Sequence, residues 1–183
     1  MSLSAAKIAG SNATRGRVIN DYYATPFHAT EAILDKLSDY DLGDNILEPA
    51  AGEGHIVKVL TERFPNKNII ANDLEWRNSR FGFNIQGDVD FLTYEPECEI
   101  DTVITNPPFS LAQQFIEKGL QIAKKRVIIL AKIQLLEGEK RKSFFESNPP
   151  HYIYVFSKRC STLRNGEEID EKGKKLTTVL CLA

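Results

Sequence analysis

The sequence predicts an α/β fold: a mainly parallel, twisted sheet of about seven strands, covered by helices on both faces and closed by an antiparallel pair at its C-terminal end. Two patterns lead there. From residue 45 onward, short unbroken apolar runs alternate with helical segments, which is how strands buried on both faces are written. The last two runs have no helical pattern between them, only the polar stretch Arg159 to Lys175, so they are expected to form an antiparallel hairpin with a long exposed loop.

Taken in order, the first 20 residues are small and polar without a hydrophobic period, and are expected to form a mobile arm before a single domain over 21–183. Thr25-Pro26 resembles an N-cap followed by proline at the first helical position, and Ala29, Ala32, Ile33 and Leu37 keep helical spacing, predicting a helix over Pro26 to Ser38. Strands are predicted at Asn45 to Glu48, Asn68 to Asn72, Asn84 to Gln86, Asp101 to Thr105, Arg126 to Ala131, Tyr152 to Ser157 and Thr177 to Leu182. Helices are predicted at His55 to Phe64, at Leu111 to Ala123 and, shorter, at Gly138 to Ser147.

At 183 residues the chain is long enough for one substantial core, and 42% hydrophobic with 26% charged residues is a globular balance. No apolar run approaches the roughly 20 residues of a membrane helix, so a cytoplasmic protein is expected. Three cysteines, Cys98, Cys160 and Cys181, without paired spacing predict neither disulfides nor a metal site, and are expected to be reduced packing residues. The net charge of −2 divides into −7 over residues 1–100 and +5 over residues 101–183, and the basic half suits a phosphate-bearing partner as well as a solvated face.

Four constellations carry chemistry. Ile46 to Gly54 joins a strand to an amphipathic helix through Glu48-Pro49-Ala50-Ala51-Gly52-Glu53-Gly54. Its glycines permit a tight turn and close approach of a ligand, as they would in an ordinary strand-to-helix turn. The acidic Glu48 would oppose a pyrophosphate and welcome an ammonium. Asp73 ends the next strand where a Rossmann-like unit holds a ribose, a surface cap being the competing reading. Asp88 or Asp90 is placed to accept from an adenine amino group, with Phe91 packing on the ring or in the core.

The fourth, Asn106-Pro107-Pro108-Phe109, follows one strand and precedes a helix. Its prolines make a stiff corner with exposed carbonyls. The Asn106 oxygen and the Pro107 carbonyl can each accept one hydrogen of a planar amine, favouring a pyramidal nitrogen, while Phe109 stacks on the ring. Asn148-Pro149-Pro150-His151 shares three of these letters but precedes a strand, so it is expected away from the ligand edge. Phe156 is either a second aromatic wall or core.

These residues resemble the DNA N6-adenine methyltransferases, particularly the small phage and prophage forms, over most of residues 20–183. Glu48, Pro49, Ala50, Gly52 and Gly54 are similar to the family's cofactor loop, Asp73 and Leu74 to its ribose-contacting segment, Asp88 or Asp90 with Phe91 to its adenine contacts, and Asn106, Pro107, Pro108 and Phe109 to its catalytic tetrad. Tyr23, Thr25 and Pro26 resemble the segment over the methionine end. The resemblance implies a class I methyltransferase of Rossmann-like fold, S-adenosyl-L-methionine as cofactor, no metal, and adenine flipped out of duplex DNA as substrate. No sizeable target-recognition domain fits between Gly54 and Asn106 or after Phe109. Specificity is therefore expected from a partner, from the Arg159 to Lys175 loop, or from a longer chain. The same tetrad chemistry would serve an RNA base or a protein glutamine amide, and a cofactor-binding subunit without turnover would keep the first half of the pattern. A nicotinamide-dependent dehydrogenase fits neither Glu48 nor the tetrad.

Overall fold

Four strands run side by side in one direction. They are β2 (Asn45–Glu48), β3 (Asn68–Ala71), β4 (Ile100–Thr105) and β5 (Ala123–Ala131), named in chain order after a short β1 (Tyr23–Ala24). In this computed structural model the described residues are 23–37 and 41–157, with strand backbone also at β7 (Leu163–Arg164) and β8 (Leu180–Leu182). With β6 (Ile153–Tyr154), the main sheet has the order β3-β2-β4-β5-β8-β6. The β2–β3, β2–β4 and β4–β5 pairs are parallel, and β8 is antiparallel to both β5 and β6. The mobile arm expected over residues 1–20 and most of the Arg159 to Lys175 loop lie outside the described residues.

The α-helices among the described residues are α1 (Phe27–Lys36), α2 (His55–Arg63), α3 (Ala112–Ile122) and α4 (Lys142–Ser147). Successive strand side chains point to opposite faces, and the core divides accordingly. Ile46, Ile104, Ile128 and Leu130 meet Ala29, Ile33 and Leu34 of α1 and Ile56, Val59 and Leu60 of α2. Their neighbours Leu47 and Val103 turn the other way, with Phe91 and Phe115, and Ile129 and Ala131 join Ala112 of α3. Unbroken apolar runs are thus explained by burial on both faces.

Several boundaries depart from the sequence expectation. Thr25 does not cap α1. Pro26 occupies the cap position in extended geometry (φ −60°, ψ 137°) without a side-chain cap bond, and its carbonyl accepts from the Ala29 N–H. The expected strand at Asn84 to Gln86 contributes one parallel bridge, Gln86 to Asn72, because the chain turns away at Gly87 and Asp88, where φ is 58°. The main sheet therefore has six strands among the described residues. Strand β5 starts at Ala123 directly from α3, with Ala123 opposite Ile100. The helix expected over Gly138 to Ser147 opens as a 3-10 turn, Glu139–Arg141, where Arg141 bends back onto the carbonyls of Gln134, Leu135 and Glu137 and clamps a further 3-10 turn, Ile133–Leu136. Strand β6 is confined to two residues. The pairing of β1 with β7, Tyr23 opposite Arg164, was not legible in either two-residue segment. Cys98 is an exposed free thiol and not a packing residue.

Candidate active site

The chain passes from β2 outward to β3 and then returns to β4 on the other side of β2, so strand order reverses between β2 and β4. Ligands of open α/β sheets bind at such a reversal, outside the carboxyl ends of the strands. Glu48 is the last residue of β2, and Asn106 directly follows the last residue of β4. Because β2 and β4 are parallel neighbours, the glycine turn and the double-proline corner leave the sheet at one rim.

The glycine turn is held by backbone bonds to the neighbouring strand end. The Ala51 N–H donates to the Asn72 carbonyl at 2.9 Å, and the Gly54 N–H donates to the Ala51 carbonyl at 2.8 Å. Gly52 and Gly54 have φ of 56° and 93°, in the left-handed region that a Cβ disfavours. At Gly54 a methyl group would also fall 3.3 Å from Phe83 and 3.4 Å from both Ile85 and Ser79. The segment over this turn is bonded to it, the Arg80 N–H donating to the Glu53 carbonyl.

Asp73 ties the second loop to the first. Its Oδ2 accepts from the Gly52 N–H at 2.7 Å and its Oδ1 from the Glu75 N–H at 2.9 Å. It thus caps its own turn, as the competing reading expected, and also fixes the glycine turn; each carboxylate oxygen retains a second lone pair. Its backbone N–H donates to the Gln86 carbonyl and its carbonyl accepts from the Val89 N–H, which brings Asp88 and Asp90 alongside. Asp88 is exposed, whereas Asp90 is half-buried and caps a local turn through the Leu92 N–H. Phe91 is placed in the core instead of at an open ring-binding surface: it is 2% exposed, with its ring 5.0 Å from that of Phe115. Leu74 and Trp76 are both exposed beside Asp73.

Glu48 is fully buried. Its Oε1 accepts from the Ala50 N–H at 3.0 Å, and the hydroxyl of Thr105, the last residue of β4, lies beside the carboxyl. Burial pushes this carboxyl up to about 8, with the charge of Asp73 acting the same way, against the opposing pull of the neighbouring Thr105 hydroxyl and the Ala50 N–H. The Asn72 side chain, also buried, has neither amide atom paired among the described residues.

At the corner itself Pro107 is buried and Pro108 exposed, and the Pro108 carbonyl accepts from the Leu111 N–H at 2.8 Å to lead into α3. The Asn106 Nδ2 donates to the Thr25 hydroxyl at 3.1 Å, which brings the N-terminal segment, with Tyr23 and Pro26, to the same rim. The Lys132 Nζ stands 4.1 Å from the centroid of the Phe109 ring. Lys132 immediately follows β5, a position that no motif marks. Below the turn, His55 stacks on Phe27 at 5.5 Å and meets Phe81 edge-on at 5.2 Å; burial, then the charge of Arg80, lowers it to about 4.

Two sequence candidates lie elsewhere. Strand β6 runs parallel to β5 through their common neighbour β8, so Asn148 to His151 enters the sheet at the opposite rim. Phe156 packs in the core beside Tyr154. Among the described residues no cluster of metal-ligating side chains occurs, and no helix is long and apolar enough to cross a membrane.

No family model matches the chain. A Type II methyltransferase, M.CvrRI, of Paramecium bursaria Chlorella virus XZ-6E is 29% identical over 91 residues, which are 48% of this chain and 24% of that protein. The chain thus spans about a quarter of the length of that curated relative. Among solved structures, a Listeria monocytogenes protein assigned as a class I S-adenosylmethionine-dependent methyltransferase is similar with a TM-score of 0.59 at 16% identity, over 92% of this chain and 62% of that one. An S-adenosylmethionine-dependent O-methyltransferase from Thermotoga maritima gives 0.54 at 14% identity, over 85% and 63%. A Streptococcus thermophilus protein described as a hemolysin gives 0.58 at 12% identity, over 92% and 68%, so one fold serves differently described proteins. The strand order, the reversal between β2 and β4 and these likenesses together give the chain the Rossmann-like fold of the class I S-adenosylmethionine-dependent methyltransferases.

Proposed function

We propose that this chain binds S-adenosyl-L-methionine at the glycine turn and transfers its methyl group to the exocyclic amino group of adenine in DNA. The observation that carries the reading is the meeting, at one rim, of a fully buried carboxyl and a stiff Asn-Pro-Pro-Phe corner. The donor set fits the cofactor. The Glu48 carboxyl suits an ammonium, the positive-φ turn at Gly52 and Gly54 lets a ligand approach the backbone, and Asp73 retains acceptor capacity for ribose hydroxyls. Leu74 and Trp76 offer apolar cover beside that acid, and Asp88 or Asp90 an acceptor for an amino group. Tyr23, Thr25 and Pro26 close the methionine end, and Pro49 and Ala50 shape the turn.

Bound there, the cofactor supplies a sulfonium methyl that needs no further activation. The residues of the chain do the remaining work. Asn106 and the Pro107 carbonyl would accept the two amino hydrogens and turn the nitrogen lone pair toward the methyl; as the nitrogen–carbon bond forms the sulfur–carbon bond breaks, the neutral thioether leaves, and the nitrogen releases one proton to water. Phe109 would stack on the base and Pro108 keeps the corner rigid, so that the chain supplies alignment of the amine with the methyl donor. The adenine must leave the helix to reach this rim, as bases do in enzymes that act on them. The relative named a Type II methyltransferase supports methyl transfer, and the tetrad with its resemblance to N6-adenine enzymes supports the substrate.

Labelled cofactor incubated with unmethylated DNA, RNA and protein tests the substrate, with candidate specificity partners added in parallel. Label is expected in DNA adenine alone, and Asn106→Ala should lower the rate about 100-fold, as loss of a transition-state hydrogen bond does. Label confined to RNA or protein would refute the DNA reading.

A further inference from the structure

Thr25 is the residue type that caps a helix, yet α1 has no side-chain cap bond. Its hydroxyl instead meets Asn106, 81 positions along the chain, at 3.1 Å. Thr25 is 4% exposed and held from both sides. Before it, β1 is paired with β7; after it, Pro26 sits at φ −60° with its carbonyl bonded to the Ala29 N–H. A side chain fixed in this way presents its oxygen at a set point.

The consequence for Asn106 is chemical. A carboxamide can present either its oxygen or its NH2 group to a neighbour, and the two ends differ by a half-turn about one bond. An amine needs an acceptor; an NH2 end turned toward it would set donor against donor. We infer that Thr25 is a positioning residue, whose hydroxyl holds the Asn106 amide by its nitrogen so that the oxygen end is the one directed away from Thr25 toward the substrate amine. This assigns Thr25 a task beyond closing the methionine end, and it rests on the methyl-transfer reading above.

Thr25→Val keeps the shape and removes the hydroxyl, and Thr25→Ser restores it. Three readouts on the full chain separate the possibilities: affinity for S-adenosylhomocysteine, the single-turnover methylation rate at saturating cofactor, and the side-chain amide resonances of Asn106, assigned by their loss in Asn106→Asp. The inference expects Thr25→Val to slow transfer at saturating cofactor roughly tenfold, the scale of one hydrogen bond, over and above any change in cofactor affinity. Thr25→Ser should recover most of the rate, and the Asn106 amide resonances should shift in the Val variant and return in the Ser variant. Unmoved resonances, or a loss confined to cofactor affinity with the saturated rate intact, would overturn it. If the unaltered chain methylates nothing, the proposed reaction fails by itself, and the resonances still decide whether Thr25 holds Asn106.

Discussion

Glu48 and His55 are buried within eight positions of each other, and their titrations oppose. The Glu48 carboxyl, ordinarily near 4.5, is raised to about 8, so between these values the folded chain keeps a proton that the unfolded chain has lost. Its contribution is fully present below 4.5 and disappears as pH rises through 8. His55, ordinarily near 6.5, is lowered to about 4, so between these values only the unfolded chain takes the proton, and stability is lost as pH falls from 6.5 to 4. From 4.5 to 6.5 the two effects cancel; from 6.5 to 8 only that of Glu48 remains. A thermal scan is thus expected to be nearly flat over the first range and to fall by roughly 1 kcal/mol per pH unit over the second. Glu48→Gln should abolish that fall and weaken S-adenosylhomocysteine at least tenfold at pH 8, since a cationic group would lose its buried partner. A variant that kept both the fall and the affinity would remove Glu48 from the site. The acid itself was legible in the sequence, from its place beside the glycines. Its burial was not, because exposure depends on how α1 and α2 cover the sheet.

At the scale of elements, periodicity located every α-helix among the described residues and most strands, since burial on two faces writes long apolar runs. It failed where a tertiary bond overrides local preference. Thr25 is drawn from its capping role to Asn106, Arg141 tightens the start of the last helix by gathering three carbonyls, and Gln86 meets β3 for a single bridge. The glycine turn was recognisable because its conformation demands its residues. Gly54→Ala would place a side chain at φ 93° and 3.3 Å from Phe83, costing about 1 to 2 kcal/mol. The midpoint of thermal unfolding should drop by roughly 2 to 8 °C, with weaker cofactor binding. An unchanged midpoint would mean that the turn relaxes freely. Lys132 over Phe109 and Thr25 beside Asn106 were invisible for a shared reason: each joins loops whose proximity is fixed only by strand order.

Across the whole molecule, strand order does what no single motif can. Reversal between β2 and β4 places a turn around residue 50 beside a corner around residue 107, and β5 delivers Lys132 next to them. The alternating pattern predicted a parallel sheet and hence a shared rim; it could not specify which strands flank β2. The fold is common to proteins of different description, so the chemistry has to be judged at the rim. A structure of the chain with S-adenosylhomocysteine bound addresses the rim directly. The amino group should lie at Glu48, the ribose at Asp73, and the sulfur should face Asn106. Ligand bound elsewhere, or with its sulfur turned away from the Asn106-Pro107 corner, would contradict methyl transfer at this site.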